Sequence, residues 1–129
     1  MSMLADGANP IVWVEIPTAD LERAKAFYAA VFDVELQGLD LGDLRFAFLP
    51  MTEGARNSAV ALVHHPTMYT PSTAGTLVYF AVNDIEAVLA RVAQHDGRIL
   101  QHRKEVGEFG AVGFFEDCEG NRIGLHTRG

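Results

Sequence analysis

Residues 11–36 read IVWVEIPTADLERAKAFYAAVFDVEL, and the same order of patterns returns 64 residues later as GTLVYFAVNDIEAVLARVAQHDGRIL. Each copy has an alternating apolar run, then an aspartate, then apolar residues at helical spacing. Aligned without a gap, the copies match at Val14 and Val78, Asp20 and Asp84, Leu21 and Ile85, Glu22 and Glu86, Ala26 and Ala90, and Leu36 and Leu100. An internal repeat indicates structural units of one design. The chain is therefore predicted to contain two βα modules.

The first module is predicted to open with a strand and a helix. In residues 11–17, apolar side chains alternate, which places Trp13 and Glu15 on one face of a strand and the aliphatic residues on the other. Asp20 is expected to cap the following helix. The buried stripe of that helix is predicted to contain Leu21, Ala24, Phe27, Tyr28 and Val31.

The second module repeats this plan. Its strand at residues 76–82 places Tyr79 at the position of Glu15, and its helix follows Asp84 and is expected to stop at Gly97. Further strands are predicted at residues 34–39, 44–49, 58–64, 98–102, 110–116 and 122–127. The predicted fold class is therefore α+β, with two tandem βαβββ modules at residues 10–65 and 76–127, a link at 66–75, and a groove shared by the sheet faces that the helices leave uncovered.

Composition and charge exclude several classes of function. A chain of 129 residues with a net charge of −7 and no run of Lys or Arg is not expected to bind nucleic acid or an anionic membrane. No apolar run reaches the roughly 18 residues that a bilayer span needs, so we expect a cytoplasmic protein. Cys118 is the only cysteine and has no neighbouring base in the sequence. It is interpreted as an ordinary turn residue.

Two motifs and the end of the chain resemble a known superfamily. The motif with Asp20, Leu21, Arg23, Ala24, Phe27 and Tyr28, its counterpart at Asp84, and the closing FFEDCEGNRIGLH of residues 114–126 are similar to sequences of the vicinal oxygen chelate superfamily. That superfamily includes glyoxalase I, extradiol dioxygenases and the bleomycin and fosfomycin resistance proteins. The resemblance spans residues 11–127 and is greatest to bacterial proteins related to lactoylglutathione lyase. It implies a glyoxalase-like domain, but no single reaction, because one fold can host unrelated chemistries.

The resemblance also implies where a divalent metal would bind. Metal-dependent members hold the ion with His, Gln or Glu on the first and last strands of each module. The corresponding positions here are Trp13, Leu77, Gly124 and a place within residues 58–63, which contain no acid, histidine or glutamine. Divalent ions need several oxygen, nitrogen or thiolate donors together. We therefore expect no metal at the usual site and no cofactor, with a divalent metal at a displaced site as the open alternative.

A different set of side chains is predicted to face the groove. Glu15 and His126 form the candidate catalytic pair, because a carboxylate and an imidazole that converge in a partly dry groove can act as base and acid, or hold a cationic or hydroxyl-bearing ligand. The candidate ligand-binding residues are Trp13, Tyr79, Arg122, His64 and Phe114. Of the adjacent His64 and His65, only one can face inward, and the sequence leaves open which.

Each candidate also has a structural interpretation. Glu15 could serve only to hydrogen-bond Arg122 or a neighbouring strand, and His126 could be a solvent-facing strand residue. The aromatic side chains could fill the groove or form a dimer contact. The charged run HRKEVGE at residues 102–108 is predicted to be a solvated hairpin edge that discourages sheet-to-sheet association.

Three functions remain open from the sequence. The first is a metal-independent protein that binds a small organic molecule, which fits the unusual residues at the metal positions best. The second is a lyase or isomerase related to lactoylglutathione lyase that works through Glu15 and His126, with or without a metal at a displaced site. Without a metal, only Arg122 or a histidine could stabilise an enolate. The third is a dimeric module with a vestigial groove. A groove that is open at Glu15 favours the first two, and one plugged by Trp13 and Phe114 favours the third. The resemblance implies a homodimer.

Overall fold

The computed structural model describes residues 2–128 and contains two four-stranded sheets and two α-helices. The elements are β1 (Trp13–Pro17), α1 (Leu21–Phe32), β2 (Gln37–Leu41), β3 (Leu44–Phe48), β4 (Ala59–His64), β5 (Val78–Ala81), α2 (Ile85–Gln94), β6 (Arg98–Glu105), β7 (Ala111–Glu116) and β8 (Arg122–Thr127). The predicted α+β class with two βαβββ units is confirmed. Within residues 2–128, neither helix has the length and apolar character that crossing a bilayer requires.

Both sheets have the same internal order. The first sheet runs β1-β4-β3-β2 and the second β5-β8-β7-β6, so the opening strand of each unit pairs with its last strand. That pairing is parallel in both sheets, and the remaining pairs are antiparallel. Since the helix follows the opening strand directly, it crosses one face of its own sheet and leaves the other face uncovered.

Both helices begin as their sequences predict. The side chains of Asp20 and Asp84 each accept a hydrogen bond, from the backbone N–H of Arg23 and Ala87 respectively, at 3.1 Å in both helices. All five residues predicted for the stripe of α1 are buried. In α2, Ile85, Leu89 and Val92 are buried and Val88 is half-buried.

Gly97 does not end α2 in the way that was expected. The helix ends at Gln94, and the left-handed residue after it is Asp96, with φ +67°. Gly97 instead lies against the core, where an added Cβ would come within 2.6 Å of Val92 Cγ1 and 2.9 Å of the Phe27 ring. Its missing side chain is therefore needed for close packing rather than for a left-handed turn.

The largest differences from the predicted strand boundaries are at the start of β2 and the end of β6. The second strand begins at Gln37 rather than 34, because Asp33 takes a left-handed conformation after α1 and Leu36 turns into the core. The β6 strand continues to Glu105 instead of stopping at residue 102, as an exposed edge with two register shifts against β7. Such irregular, charged edges resist pairing with other chains.

The two units share one hydrophobic core on their helix sides. The ring centroids of Phe32 in α1 and Phe80 in β5 lie 4.8 Å apart, and those of Phe27 in α1 and Phe115 in β7 lie 6.1 Å apart. On the same side, Arg91 of α2 donates a hydrogen bond to the last-turn carbonyl of Ala30 in α1. Because α1 packs on both sheets, it fixes the units relative to each other.

The turn between β7 and β8 caps the N-terminus of α1. Glu119 in this turn accepts hydrogen bonds from the backbone N–H groups of Ala19 and Asp20, at 2.7 and 2.8 Å, and forms a 2.6 Å ion pair with Arg23. Burial opposes ionisation of the Glu119 side chain, but these donors outweigh it and lower its pKa. An ionised carboxylate at a helix N-terminus also interacts favourably with the helix dipole.

Asp117 and Asn121 extend this contact into the core. The fully buried Tyr28 hydroxyl donates to Asp117 at 2.6 Å, and the Asn121 side chain donates to the Pro17 carbonyl at 2.8 Å. Burial, and then the Asp117 charge, raise the pKa of Tyr28 well above its usual value, so the phenol stays a donor. Residues 117–121, hereafter the inter-module turn, therefore join the second unit to α1 of the first.

Candidate functional site

Each sheet has one face that is turned away from the helices. We call these the first and second open faces. The first open face contains Trp13, Glu15, Phe46, Phe48, Ala61 and Val63, and the second contains Tyr79, Val112, Phe114, Arg122, Gly124 and His126. The side chains predicted to face the groove, His64 excepted, lie on these faces. Their roles in binding or catalysis stay predictions.

On the first open face, Glu15 is held by two aromatic donors. The Tyr69 hydroxyl donates to Glu15 Oε1 at 2.6 Å, and Trp13 Nε1–H donates to Glu15 Oε2 at 3.2 Å. The hydrogen bond to Glu15 raises the pKa of Tyr69, which keeps the phenol protonated. Trp13 also packs on Phe48, with ring centroids 5.6 Å apart. Each carboxylate oxygen of Glu15 thus already accepts one hydrogen bond.

The second open face carries an aromatic pair and a guanidinium group. The Tyr79 ring lies directly on Gly124, where an added Cβ would come within 2.7 Å of Tyr79 Cδ1. Phe114 meets Tyr79 edge to face at 5.7 Å, and the Arg122 guanidinium lies 5.0 Å from the Phe114 centroid. No carboxylate within residues 2–128 forms an ion pair with Arg122.

His126 is tied to the loop between β6 and β7. Its Nε2 atom lies 2.6 Å from the carbonyl oxygen of Phe109. Because a carbonyl only accepts, this geometry assigns a proton to Nε2 and leaves Nδ1 as the atom that could accept one. The Phe109 ring itself is 73% exposed. His126 therefore has a structural contact that the sequence did not indicate.

Glu15 and His126 are not brought into contact. Within residues 2–128, no hydrogen bond, ion pair or aromatic contact joins side chains of the first open face to those of the second. Glu15 does not bond Arg122 either, because its partners are Trp13 and Tyr69. The two predicted catalytic residues belong to separate clusters, and their cooperation stays a prediction.

His64 lies on the helix side and not on an open face. It pairs in register with Arg45, which reaches Glu22 of α1, and its Nδ1 atom donates to the Thr18 carbonyl at 3.0 Å. The error follows from register: Glu15 pairs with Ala61, 46 positions on, whereas its repeat counterpart Tyr79 pairs with Gly124, 45 positions on. Because the first unit has one extra residue before β4, the gapless alignment of the repeats assigns the side chains of β4 to the wrong face of the sheet.

The same register selects Ala61 as the fourth of the positions at which the resemblance implies a metal ligand, since Ala61 is opposite Glu15 as Gly124 is opposite Tyr79. The other three are Trp13, Leu77 and Gly124, and the absence of the usual metal site stays a prediction. An indole N–H, two hydrocarbon side chains and a glycine offer no donor to a divalent cation. In addition, the Tyr79 ring occupies the space that a side chain at position 124 would need. Residues 2–128 contain no group of three or more His, Cys, Asp or Glu placed to hold a metal ion.

Several residues near the candidate site were missed from the sequence. Phe46 and Phe48 stack at 5.6 Å on the first open face, and their alternation within residues 44–49 could have indicated this. Tyr69 lies in the link, where no periodicity assigns a direction. Phe109 gave no signal because its position depends on the loop contact with His126.

Cys118, expected to be an unreactive turn residue, has a pKa that burial and the Glu119 hydrogen bond raise to about 12.

The family of the chain follows from its fold and its sequence together. The model of the Glyoxalase/Bleomycin resistance protein/Dioxygenase superfamily matches residues 10–125, and the chain belongs to this superfamily. Among curated proteins, it is similar to "Putative glyoxylase CFP32" of Mycobacterium bovis, with 25% identity over 126 aligned positions that cover 88% of this chain and 43% of the relative. The chain thus spans less than half the length of that relative.

Solved structures of similar fold include both enzymes and binding proteins. A glyoxylase/bleomycin resistance protein/dioxygenase domain from Frankia sp. EAN1pec superposes with a TM-score of 0.74 at 16% identity, covering 95% of this chain and 94% of that one. TnmS3, an antibiotic binding protein from Streptomyces sp. CB03234, gives 0.69 at 24% identity, covering 97% and 100%. Glyoxalase I from Zea mays gives 0.66 at 20% identity, covering 96% and 48%. At these identities the likeness establishes the fold alone.

Proposed function

We propose that this chain binds a small organic molecule on its open faces without the divalent metal used by metal-dependent members of its superfamily. The observation that carries the proposal is the pairing of two features. The four residues at the positions where the resemblance implies metal ligands, Trp13, Ala61, Leu77 and Gly124, are not of ligating types, whereas the Trp13 and Tyr79 rings are exposed. A surface of this kind suits contact with a flat or apolar molecule.

Exposure of the aromatic residues argues against a vestigial groove. Trp13 is 37% exposed and Tyr79 is 47% exposed, and Glu15 is also exposed. Ala61 and Val63 of the first open face are fully buried, so its middle strand is covered while these three residues stay accessible. The similarity in fold to a protein described as antibiotic binding adds support for binding, since that protein is matched along its full length.

A lyase or isomerase is the second candidate, supported by the curated relative that carries the name glyoxylase. It would need Glu15 or the Nδ1 atom of His126 as a base. Both groups already hold hydrogen bonds on different faces, at Tyr69 and Phe109. General acid–base chemistry by this pair would therefore require a ligand or a second copy of the chain to bring them together.

We further propose a homodimer. Leu39 and Leu41 remain exposed on β2, the edge strand of the first sheet that lies farthest from Trp13. An exposed apolar edge strand is commonly covered by a partner. Sedimentation velocity over a tenfold concentration range tests this directly, and a monomer at all concentrations would contradict it.

The main proposal is tested by metal analysis and ligand screening of the same preparation. Protein purified without chelators and soaked in zinc, nickel, manganese and iron(II) should retain far less than one ion per chain. A thermal-shift screen of small aromatic molecules should then find compounds whose stabilisation is lost in Trp13→Ala or Tyr79→Ala. One retained ion that Glu15→Gln or His126→Ala removes would instead establish a displaced metal site and favour the lyase.

A further inference from the structure

We infer that the second open face recognises the negatively charged end of a planar aromatic ligand, with Arg122 as the group that selects the charge. The inference rests on the proposed binding function and names the ligand class for one of its two faces. Its basis is an exposed guanidinium group that lies over the Phe114 ring, which in turn contacts Tyr79, and that has no carboxylate partner within residues 2–128.

The apolar part of the site is built from the strand backbone upward. Gly124 allows the Tyr79 ring to lie flat against β8, because a Cβ atom at position 124 would come within 2.7 Å of Tyr79 Cδ1. Phe114, the direct cross-strand neighbour of Gly124, meets this ring edge to face. Because Tyr79 is 47% exposed, part of its ring remains available to another aromatic group.

Arg122 supplies the charged part. Its guanidinium lies 5.0 Å from the Phe114 ring centroid, and none of its N–H groups donates a hydrogen bond to another group within residues 2–128. A guanidinium stacked on a ring loses less freedom when it binds, and its planar set of donors matches both oxygens of a carboxylate. A ligand carboxylate in the plane of an aromatic ring would meet these donors while the ring contacts Tyr79.

Nearby charges favour an anion over a cation. The acid closest along the sheet is Glu116, the register partner of Arg122, and it already accepts a 2.8 Å hydrogen bond from Arg98. With Arg98, Arg122 and Glu116 together, this corner of the face carries a net charge of about +1 in a chain of net charge −7. On the first open face the only charged residue of the cluster is Glu15, so the two faces have opposite preferences.

Three probes of the same size separate charge from shape: 2-naphthoate, the neutral 2-naphthamide and the cationic 2-naphthylmethylamine. Their affinities are measured by calorimetric titration at pH 7.5 and low salt. We expect 2-naphthoate to bind about tenfold more tightly than 2-naphthamide, since the guanidinium pairs with an anionic carboxylate instead of a neutral carbonyl oxygen. Arg122→Gln should remove that tenfold difference and leave 2-naphthamide within about twofold of its original affinity.

Arg56→Gln is the matched control, because Arg56 is an exposed arginine in the turn before β4 and lies on neither open face. It should leave all three affinities unchanged. Equal binding of 2-naphthoate and 2-naphthamide, or a preference that survives Arg122→Gln, would overturn the inference. So would the failure of all three probes to bind at millimolar concentration.

These failures are distinguishable from failure of the proposed function. If 2-naphthylmethylamine binds in a Glu15-dependent way but 2-naphthoate shows no preference over 2-naphthamide, small-molecule binding stands and only the anion site is wrong. If no probe binds but the thermal-shift screen still yields compounds that depend on Trp13 or Tyr79, the same conclusion follows. If neither assay finds a ligand, both the function and the inference fail.

Discussion

The turn before the last strand is buried in the second unit and exposed in the first. In the second unit it is the inter-module turn, where Asp117, Glu119 and Asn121 bond α1 and the end of β1. In the first unit the corresponding turn contains residues 50–57, all of which are exposed. Two units with the same order of helices and strands can therefore differ in this turn, because only the turn of the second unit connects the two units.

The inter-module turn and the open faces also differ in how many of their polar side chains have hydrogen-bond or ion-pair partners. Every buried side-chain polar atom described has a hydrogen-bond partner, and those of the inter-module turn have several. The open faces instead retain exposed rings and an arginine without an ion-pair partner within residues 2–128. DCEGN, which belongs to the closing motif that resembles the superfamily, is thus structural, whereas the groups available to a ligand lie on either side of it.

The largest expected loss of stability follows a substitution in the inter-module turn. Asp117→Ala removes the acceptor for the Tyr28 hydroxyl and for two backbone N–H groups, all within a buried site. We expect the free energy of unfolding in urea to fall by about 4 kcal/mol, because buried donors lose a charged partner. Glu53→Ala, which removes an exposed carboxylate from the corresponding turn of the first unit, should change it by less than about 0.5 kcal/mol. Equal effects would mean that the two turns do not differ as described.

Glu119→Gln should have the next largest effect and should depend on pH. Gln keeps an acceptor for the Ala19 and Asp20 N–H groups but loses the charge facing Arg23, so we expect a loss of about 2 kcal/mol at pH 7. The pKa of Glu119 is lowered in the folded protein, so its contribution is complete above the unfolded value of about 4.3 and is lost as pH falls through the folded value.

The stability difference between wild type and Glu119→Gln should therefore shrink below about pH 4.5, which urea unfolding from pH 3 to 8 would show. Glu53→Gln is the matched control, with no expected dependence on this range beyond that of the wild type. A constant difference across the range would show that Glu119 acts by shape rather than by charge.

Gly124→Ala tests the packing of Tyr79 on the second open face. The new methyl group would lie within 3 Å of the Tyr79 ring, so the ring must move, at an expected cost of about 1 kcal/mol. The partly exposed ring has room to turn, which keeps the cost low. In a Tyr79→Ala background the same change should be neutral or stabilising, and a double-mutant cycle in urea measures the coupling. Additive effects would show that the ring does not rest on Gly124.

Glu15→Gln should have the smallest effect on stability. Glu15 is exposed and its partners are the Trp13 N–H and the Tyr69 hydroxyl, so we expect a change below about 1 kcal/mol in thermal unfolding. By contrast, Glu15→Gln should strongly lower the affinity for any ligand that contacts the first open face. A large loss of stability with unchanged ligand binding would assign Glu15 to structure alone.

Sequence reasoning succeeded wherever periodicity acted within one element. Alternation separated Trp13 and Glu15 from the aliphatic side of β1, and helical spacing gave the complete buried stripe of α1. It failed where a side chain's direction depended on pairing between distant segments, as for His64, which one inserted residue turned to the helix side. The contacts of Glu15 with Tyr69 and of His126 with Phe109 join residues 54 and 17 positions apart, beyond any local pattern.

By itself, the sequence determined the two repeated units, the helix caps at Asp20 and Asp84, and the absence of ligating side chains at Trp13, Leu77 and Gly124, because each is a property of residue type and short-range spacing. The tertiary structure decided which faces pack together, where the inter-module turn attaches, and that Glu15 and His126 belong to separate clusters. These depend on strand register and on the shared core around α1, and a one-residue change in register reverses the direction of every side chain in a strand.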